Sequence, residues 1–321
     1  MPLVVIPCLN EARHIERIVR QMARAVHPYS GLVVIADGGS TDGTREAAAE
    51  LAKDLDGVEV LDNPARLQGP GINRAVEAFA AGRTHLLRID AHADYPDDFV
   101  DALAREAADI EAASVVVGMV ARGDSLLQRI NASAQNTPLG NGGSRHRQKG
   151  TGQFVDHGHH ALMRLEAFRA VGGYDERFSH NEDAELDVRL SRAGHRIWLT
   201  ARTHVDYYPR GTLGALARQY FNYGRGRAQN LLKHRMWPKT RQLVVIGVGP
   251  ALALAALAPV FPALALPALL WLAATFAGGM ALALGRRDPK LLLCGPVAQV
   301  MHLTWSVGFW LQVLTGRERL R

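Results

Sequence analysis

"THLLRIDAHADYP", residues 84–96, is an apolar run that ends in acids. The run predicts a strand. Asp90, His92 and Asp94 stand two apart, so an extended chain would point all three to one face. A carboxylate, an imidazole and a second carboxylate together have the make-up of a metal site. The fold follows from what precedes this stretch.

Toward the amino end, strands and helices alternate. "LVVIP" and "GLVVIAD" predict the first two strands, and "VEVLDN" the third, with 84–90 as the fourth. Between them, "NEARHIERIVRQMARAV" places Ile15, Ile18, Val19, Met22 and Val26 at helical spacing. "TREAAAELAKDL" and "GINRAVEAFAAG" predict two further helices. Regular β-α-β alternation implies an α/β fold, Rossmann-like, with a mostly parallel sheet and helices on both faces. Ligands of such sheets bind at the carboxyl ends of the strands. Asn10–Glu11, Asp37 and Asp90–Asp94 all fall there.

Past residue 242 the composition changes. Residues 243–285 contain no Asp, Glu, Lys, Arg or His. One membrane crossing takes about 20 apolar residues, so two fit, with Pro259 and Pro262 near the turn. Residues 291–316 are apolar apart from His302 and predict a third. A third crossing would place Arg317, Arg319 and Arg321 outside. The net charge of +6 does not point to nucleic acid, because basic residues concentrate at 218–241, next to the apolar run, where they suit an anionic cytoplasmic leaflet. Cys8 and Cys294 form no disulfide framework. "PLVVI" at residue 2 is read as the start of the fold, with no targeting peptide.

Neither the dinucleotide fingerprint nor the P-loop is present after the first strand. "ADGGSTDGT" instead puts an acid before a glycine-serine turn and a helix. There Asp37 can accept from a pyrimidine imide or a ribose hydroxyl, while Ser40, Thr41 and Asp42 suit helix capping. "NEDAELDVRLSRAG" predicts a helix with acids in its first turn, favoured by the helix dipole. "SLLQRINASAQNTPLGNGGSRHRQKGTG" reads as a long mobile loop beside the site. Asp90 and Asp183 could pair as hydrolase carboxylates, but a hydrolase has no use for the Asp37 turn.

"IPCLNE" (6–11), "DGGSTDGT" (37–44), "DAHA" (90–93), "GGYDE" (172–176) and "NEDAELDVRL" (181–190) follow one another as in family 2 inverting glycosyltransferases, which the chain resembles over residues 2–235. "DAHADYP", "SHNEDAELDVRL" and "YYPRGTLGALARQYFNYGRGRA" are similar to the succinoglycan-type branch of membrane-attached bacterial β-glucosyltransferases. The resemblance implies the GT-A fold and a UDP-sugar donor, with Pro7, Asn10, Glu11 and Asp37 around the nucleotide. It implies a divalent cation, Mn²⁺ or Mg²⁺, held by Asp90 across the diphosphate. The family's second aspartate is His92 here. Either His92 ligates, favouring Mn²⁺, or it supports a site in which Asp90 alone binds. His204 is a further ligand by resemblance, or a buried strand histidine. Asp183 is the implied base that deprotonates the acceptor hydroxyl, with Glu182 orienting it or touching the acceptor.

"VDHGHH" (155–160) has three histidines that do not share one strand face; metal binding, acceptor contact and a structural role all stay open. "LARQYFNYGRGRAQNLLKH" predicts an amphipathic helix on the membrane surface, unless Arg225 and Arg227 reach the diphosphate. The Q-x-x-R-W motif of processive synthases is missing after Gln219, which implies transfer of a single sugar. The expected organisation is a GT-A domain at 1–212, a basic interfacial region at 213–241 and a membrane anchor at 242–321 with two to three transmembrane helices. The catalytic part would face the cytoplasm from the inner membrane. Expected partners are a lipid-linked saccharide acceptor and exopolysaccharide assembly proteins.

Overall fold

The computed structural model describes residues 1–144 and 150–316, and only the backbone at 160 and 161. Strand β1 (Pro2–Cys8) is buried along its whole length. It pairs in parallel with β2 (Leu32–Asp37) on one side and β4 (His85–Arg88) on the other. Strand β3 (Val58–Asp62) extends the parallel half beyond β2. Uninterrupted apolar strands such as "LVVI" require cover on both faces. On one face Ile15, Ile18, Val19 and Met22 of α1 (Ile15–Val26) close over Val4, Ile6 and Ile35, beside α2 (Thr44–Asp54) and α4 (Phe99–Asp109). On the other, Ile72 and Ala75 of α3 (Gln68–Phe79) pack with Phe168 of α7 (Leu165–Ala170) and Leu186 of α8 (Glu182–Arg192) over Leu3, Val5 and Leu86.

The rest of the sheet is mixed in direction. Strand β7 (His159–Arg164) runs against both β4 and β5 (Ser114–Ala121). Then come β8 (Ile197–Tyr207) and the edge strand β6 (Gln153–Val155), giving the order β3-β2-β1-β4-β7-β5-β8-β6. The α/β alternation expected of the first ninety residues is therefore realised as the parallel half of a mixed sheet.

The chain forms two compact units. One holds residues 1–119 and 150–207, with the whole sheet apart from the end of β5. The other holds residues 120–144 and everything described after residue 207. In this helical unit lie α5 (Leu126–Gln135), α6 (Pro138–Asn141), α9 (Leu213–His234), α10 (Thr240–Ile246), α11 (Val248–Ala255), α12 (Leu266–Arg286) and α13 (Cys294–Thr315). Its core joins Ile130 and Ala134 of α5, Leu216 of α9, and Cys294, Val297 and Met301 of α13.

Three sequence expectations change here. The segment read as a mobile loop is helical over Leu126–Gln135, because Ser125 and Gln128 form a reciprocal capping box and Ile130 and Ala134 are buried. Residues 145–149 of that segment lie outside the described residues. Of the two crossings expected within 243–285, one is long: Pro262–Arg286, together with Pro289–Thr315, is apolar and long enough to span a bilayer. The first apolar stretch is a shorter helix, Thr240–Ala255, stepped at Gly247. Helix α9 buries Leu216, Gly224, Ala228 and Leu231. A Cβ on Gly224 would lie 2.0 Å from the Trp305 carbonyl of α13, and one on Gly308 equally close to that of Phe221. One face of α9 is thus packed on α13. The tail arginines 317, 319 and 321 lie outside the described residues.

Candidate active site

Strand β4 ends at Arg88 and the chain then turns, with Ala93 N donating to the Asp90 carbonyl at 3.3 Å. The three side chains at 90, 92 and 94 therefore do not share a strand face. Asp90 and His92 line a cleft of about 190 Å³ with Pro7, Glu11, Asn63 and Gln68. Asp94 turns toward Arg17, 3.0 Å away, and its backbone pairs with that of Asp206. His92 Nδ1 lies 2.9 Å from Glu11 Oε1, which joins the ends of β4 and β1 across the cleft.

The Asp37 turn stands beside the cleft and is locked from within. Asp37 has no solvent exposure, and its carboxylate accepts from Gly39 N, Ser40 N and Ser40 Oγ, the last at 2.6 Å. Asn10 Oδ1 accepts from Thr41 N, Ser40 Oγ from Asn10 N, and Thr44 Oγ1 from Glu11 N. The turns after β1 and β2 thus brace one another, and Asp37 and Asn10 act within that brace. Cys8 also lines the cleft, but burial first, and then Asp37, push its thiol up to about 12, so it is no nucleophile.

A second constellation surrounds Arg88. This buried guanidinium contacts Asp183, lies 3.4 Å from Glu182 and 3.5 Å from Asp90, and donates to Gln68 Oε1 at 2.5 Å. Burial opposes its charge, yet Asp183 and Asp90 hold it protonated well above the usual range. Asp183 also accepts from the Tyr174 hydroxyl at 2.9 Å and pairs with His159 Nδ1 at 3.1 Å. Burial works against its ionisation, but Arg88 and His159 outweigh it and keep the carboxyl well below the ordinary range. Glu182 goes the other way: burial, then the Asp183 charge, raise it to about 7. Three acids facing one guanidinium leave a surplus of negative charge in which a cation or a proton is welcome.

The loop "GGYDE" aims Tyr174. Asn73 grips its backbone on both sides, at 2.9 and 2.8 Å. Gly173 has φ +68°, and a Cβ there would come within 2.6 Å of Asn73 Oδ1. Further along α8, Glu185 pairs with Arg189 at 2.6 Å. Asp187 binds His157 at 2.8 Å.

Asp90, His92, Glu11 and Pro7 thus meet in one cleft, and Glu182, Asp183 and Asp90 meet at Arg88. His204 sits on β8, 3.7 Å from Asp206. Among the described residues no trio of His, Cys, Asp or Glu forms a ready metal cage, so Asp90, His92 and His204 are not gathered into one. Arg225 and Arg227 belong to α9 in the helical unit. Arg88, Tyr174 and His159 were not singled out from the sequence as partners of Asp183. The one advance signal was an arginine inside an apolar strand, which must be paired if buried.

A sheet whose parallel strands deliver acids to one edge is built to handle a polar, charged substrate, and the sequence comparison says which class. Residues 3–172 match glycosyl transferase family 2, and the chain belongs to that family. It is 52% identical over 318 residues to the succinoglycan biosynthesis protein ExoA of Rhizobium meliloti (strain 1021), covering 99% of this chain and 96% of that one. Among solved structures it is similar to the mannosyltransferase PcManGT from Pyrobaculum calidifontis in complex with GDP-Man and Mn²⁺. The TM-score is 0.61 at 20% identity, over 98% of this chain and 87% of that one. TarS residues 1–349 from S. aureus, in complex with UDP-GlcNAc, superposes with a TM-score of 0.51 at 13% identity, over 98% and 92% of the two chains. The fold is GT-A.

Proposed function

We propose that the protein transfers one sugar, glucose from UDP-glucose, to a hydroxyl of a polyprenyl-diphosphate-linked saccharide, inverting the anomeric centre, during exopolysaccharide assembly. The observation that carries this is the near full-length identity to a succinoglycan biosynthesis protein. The long apolar helices support attachment to the inner membrane, with the catalytic unit on the cytoplasmic side, where a lipid-linked acceptor is within reach.

The donor fits the cleft. Asn63 is 3% exposed, donates to the Leu67 carbonyl, and leaves Oδ1 without a partner. A buried acceptor of this kind is matched by the imide N–H of a uracil. Asp90 and His92 line the same cleft, and the acids around Arg88 exceed its charge. That donor set fits one divalent cation that the diphosphate helps to ligate. Bound there, Mn²⁺ or Mg²⁺ supplies Lewis-acid stabilisation of the leaving nucleoside diphosphate. Arg88 holds the Asp183 carboxylate ionised, and Tyr174 fixes its direction. Asp183 is the basic centre for the acceptor hydroxyl, with Glu182 next to it.

The test is to incubate membranes containing the protein with a panel of labelled nucleotide sugars and a lipid extract. Label from UDP-glucose should enter the lipid fraction. Asp183→Asn should bind UDP as the wild type does and transfer roughly 10²–10⁴-fold more slowly, the range for a positioned base. Near-normal transfer by that variant would instead favour a polyprenyl-phosphate acceptor, which arrives already ionised.

A further inference from the structure

Helix α3 opens on Gln68, which lines the cleft together with Asn63 and Asp90. The orientation of its amide follows from chemistry. A guanidinium only donates, so the atom that faces Arg88 at 2.5 Å is Oε1. Arg88 is buried and is itself held by Asp183 and Asp90. The amide nitrogen of Gln68 is therefore turned away from Arg88, and it carries two N–H donors. Among the described residues no acceptor meets them.

The start of α3 keeps Gln68 in this place. Asn63 Nδ2 donates to the Leu67 carbonyl at 2.9 Å, which fixes the residue just before the helix. Gly69 and Gly71 let the first turn approach its neighbours closely. A Cβ on Gly71 would lie 2.7 Å from Asn63 Nδ2, and one on Gly69 would lie 3.2 Å from Tyr174 Cβ. Pro70 between them presets a helical φ. Gln68 thus stands between Asn63 on one side and Tyr174, whose hydroxyl directs Asp183, on the other. A side chain anchored at its carbonyl and pinned at its backbone loses little freedom when a ligand binds.

We infer, resting on the glycosyl-transfer reading, that Gln68 is a specificity residue for the donor, whose Nε2 donates to a hydroxyl of the transferred hexose. In that reading the nucleobase lies at Asn63 and the diphosphate at Asp90 and His92. The acceptor attacks opposite the diphosphate, on the side of Asp183, so the hexose lies between the two. Gln68 reaches that space because its carbonyl shares Arg88 with both Asp90 and Asp183. An amide N–H is an uncharged donor, which suits a sugar hydroxyl. It also discriminates, because a donor that lacks the hydroxyl leaves the N–H unpaired inside the cleft.

The experiment uses full-length protein in membranes, the lipid extract, UDP-glucose and its 2-, 3-, 4- and 6-deoxy derivatives. Gln68→Met keeps the bulk and removes the amide. Gln68→Glu keeps an oxygen for Arg88 and removes both N–H donors. Both variants should bind UDP within about threefold of the wild type. In the wild type, kcat/KM for one deoxy donor should fall about 10–100-fold below that for UDP-glucose. In both variants that gap should close to within about threefold, since donor and residue then lack the same hydrogen bond. Calorimetric binding of the donors without acceptor gives the same ratios, so a variant that transfers slowly still gives an answer. A residue that only props Arg88 would weaken every donor alike and be spared in Gln68→Glu. A deoxy penalty that persists in both variants therefore overturns the inference and leaves the transferase reading intact. So does a wild type indifferent to every deoxy donor, a result that needs no variant. Absence of transfer by the wild type with every nucleotide sugar of the panel overturns the transferase reading and the inference with it.

Discussion

At the scale of single residues, the site is organised by Arg88, a cation in a strand that is otherwise apolar. Removing its water is costly, and the contacts to Asp183, Glu182 and Asp90 offset that cost. Glu182 shows what the crowding does. Its carboxyl is raised from 4.5 to about 7, so the folded state binds that proton more tightly than the unfolded chain. Stability from this group is therefore greatest at low pH and falls as pH rises from about 4.5 through 7. The thermal midpoint of Glu182→Gln should decline less over that window than the wild type's; parallel curves from differential scanning calorimetry would refute this.

His92 makes the second residue-scale prediction. With Nδ1 against Glu11, its other nitrogen is the one suited to a metal, and a carboxylate on the far side of the ring raises its basicity. Transfer should then be supported better by Mn²⁺ than by Mg²⁺ at equal low concentration, and His92→Asp should move the preference toward Mg²⁺. An unchanged Mn²⁺/Mg²⁺ ratio in side-by-side assays removes His92 from the metal's shell. Asp90 and Asp183 were legible in the sequence because motifs mark them. The Glu11–His92 and Asp183–His159 contacts were not, since they join residues 81 and 24 positions apart through the fold.

Among the elements, legibility followed regularity. Strands β1 to β4 and helices α1 and α2 lie where periodicity put them, since one apolar face repeats without interruption. Helix α5 was missed because its capping pair, Ser125 and Gln128, lies in a polar stretch that reads as loop, and its apolar face is short. The step between α10 and α11 was also hidden inside an uncharged run. At ~1.5 Å per residue, Thr240–Ala255 extends only about 24 Å, against a hydrocarbon core of about 30 Å. The contact of α9 with α13 depends on glycines whose absent side chains carry no hydropathy signal. Gly308→Val would drive a side chain into the Phe221 carbonyl and should cost about 1–3 kcal/mol, the usual range for overpacking. Gly285→Ala on α12, with nothing within 4 Å of the new Cβ, should be neutral or stabilising. Thermal melts of both variants in detergent check the contrast, and equal midpoints would mean that α9 and α13 do not touch there.

For the whole molecule, composition marks the change near residue 242, but the compact units divide the chain elsewhere. Residues 120–144 belong with the carboxyl-terminal helices. Ile130 and Ala134 share a core with Leu216, Val297 and Met301, while the Leu139 carbonyl lies 2.9 Å from His302 Nε2. Cys294 Sγ reaches the Ile130 carbonyl at 3.5 Å, and Arg286 reaches Ser133 Oγ at 3.3 Å. A break at 212 would strip that cover from α5 and α6 and leave their apolar faces in water. Exposed clusters of this kind drive association. The fragment 1–212 should therefore aggregate or require detergent, even though the matched family segment, residues 3–172, lies within it. The full chain should stay in the membrane pellet after alkaline carbonate extraction, because Leu269, Leu270, Phe276 and Leu284 of α12 are exposed and apolar. Size-exclusion chromatography of the fragment without detergent decides the first point. A monodisperse monomer with a cooperative melt would show that residues 120–144 do not need the helices that follow them.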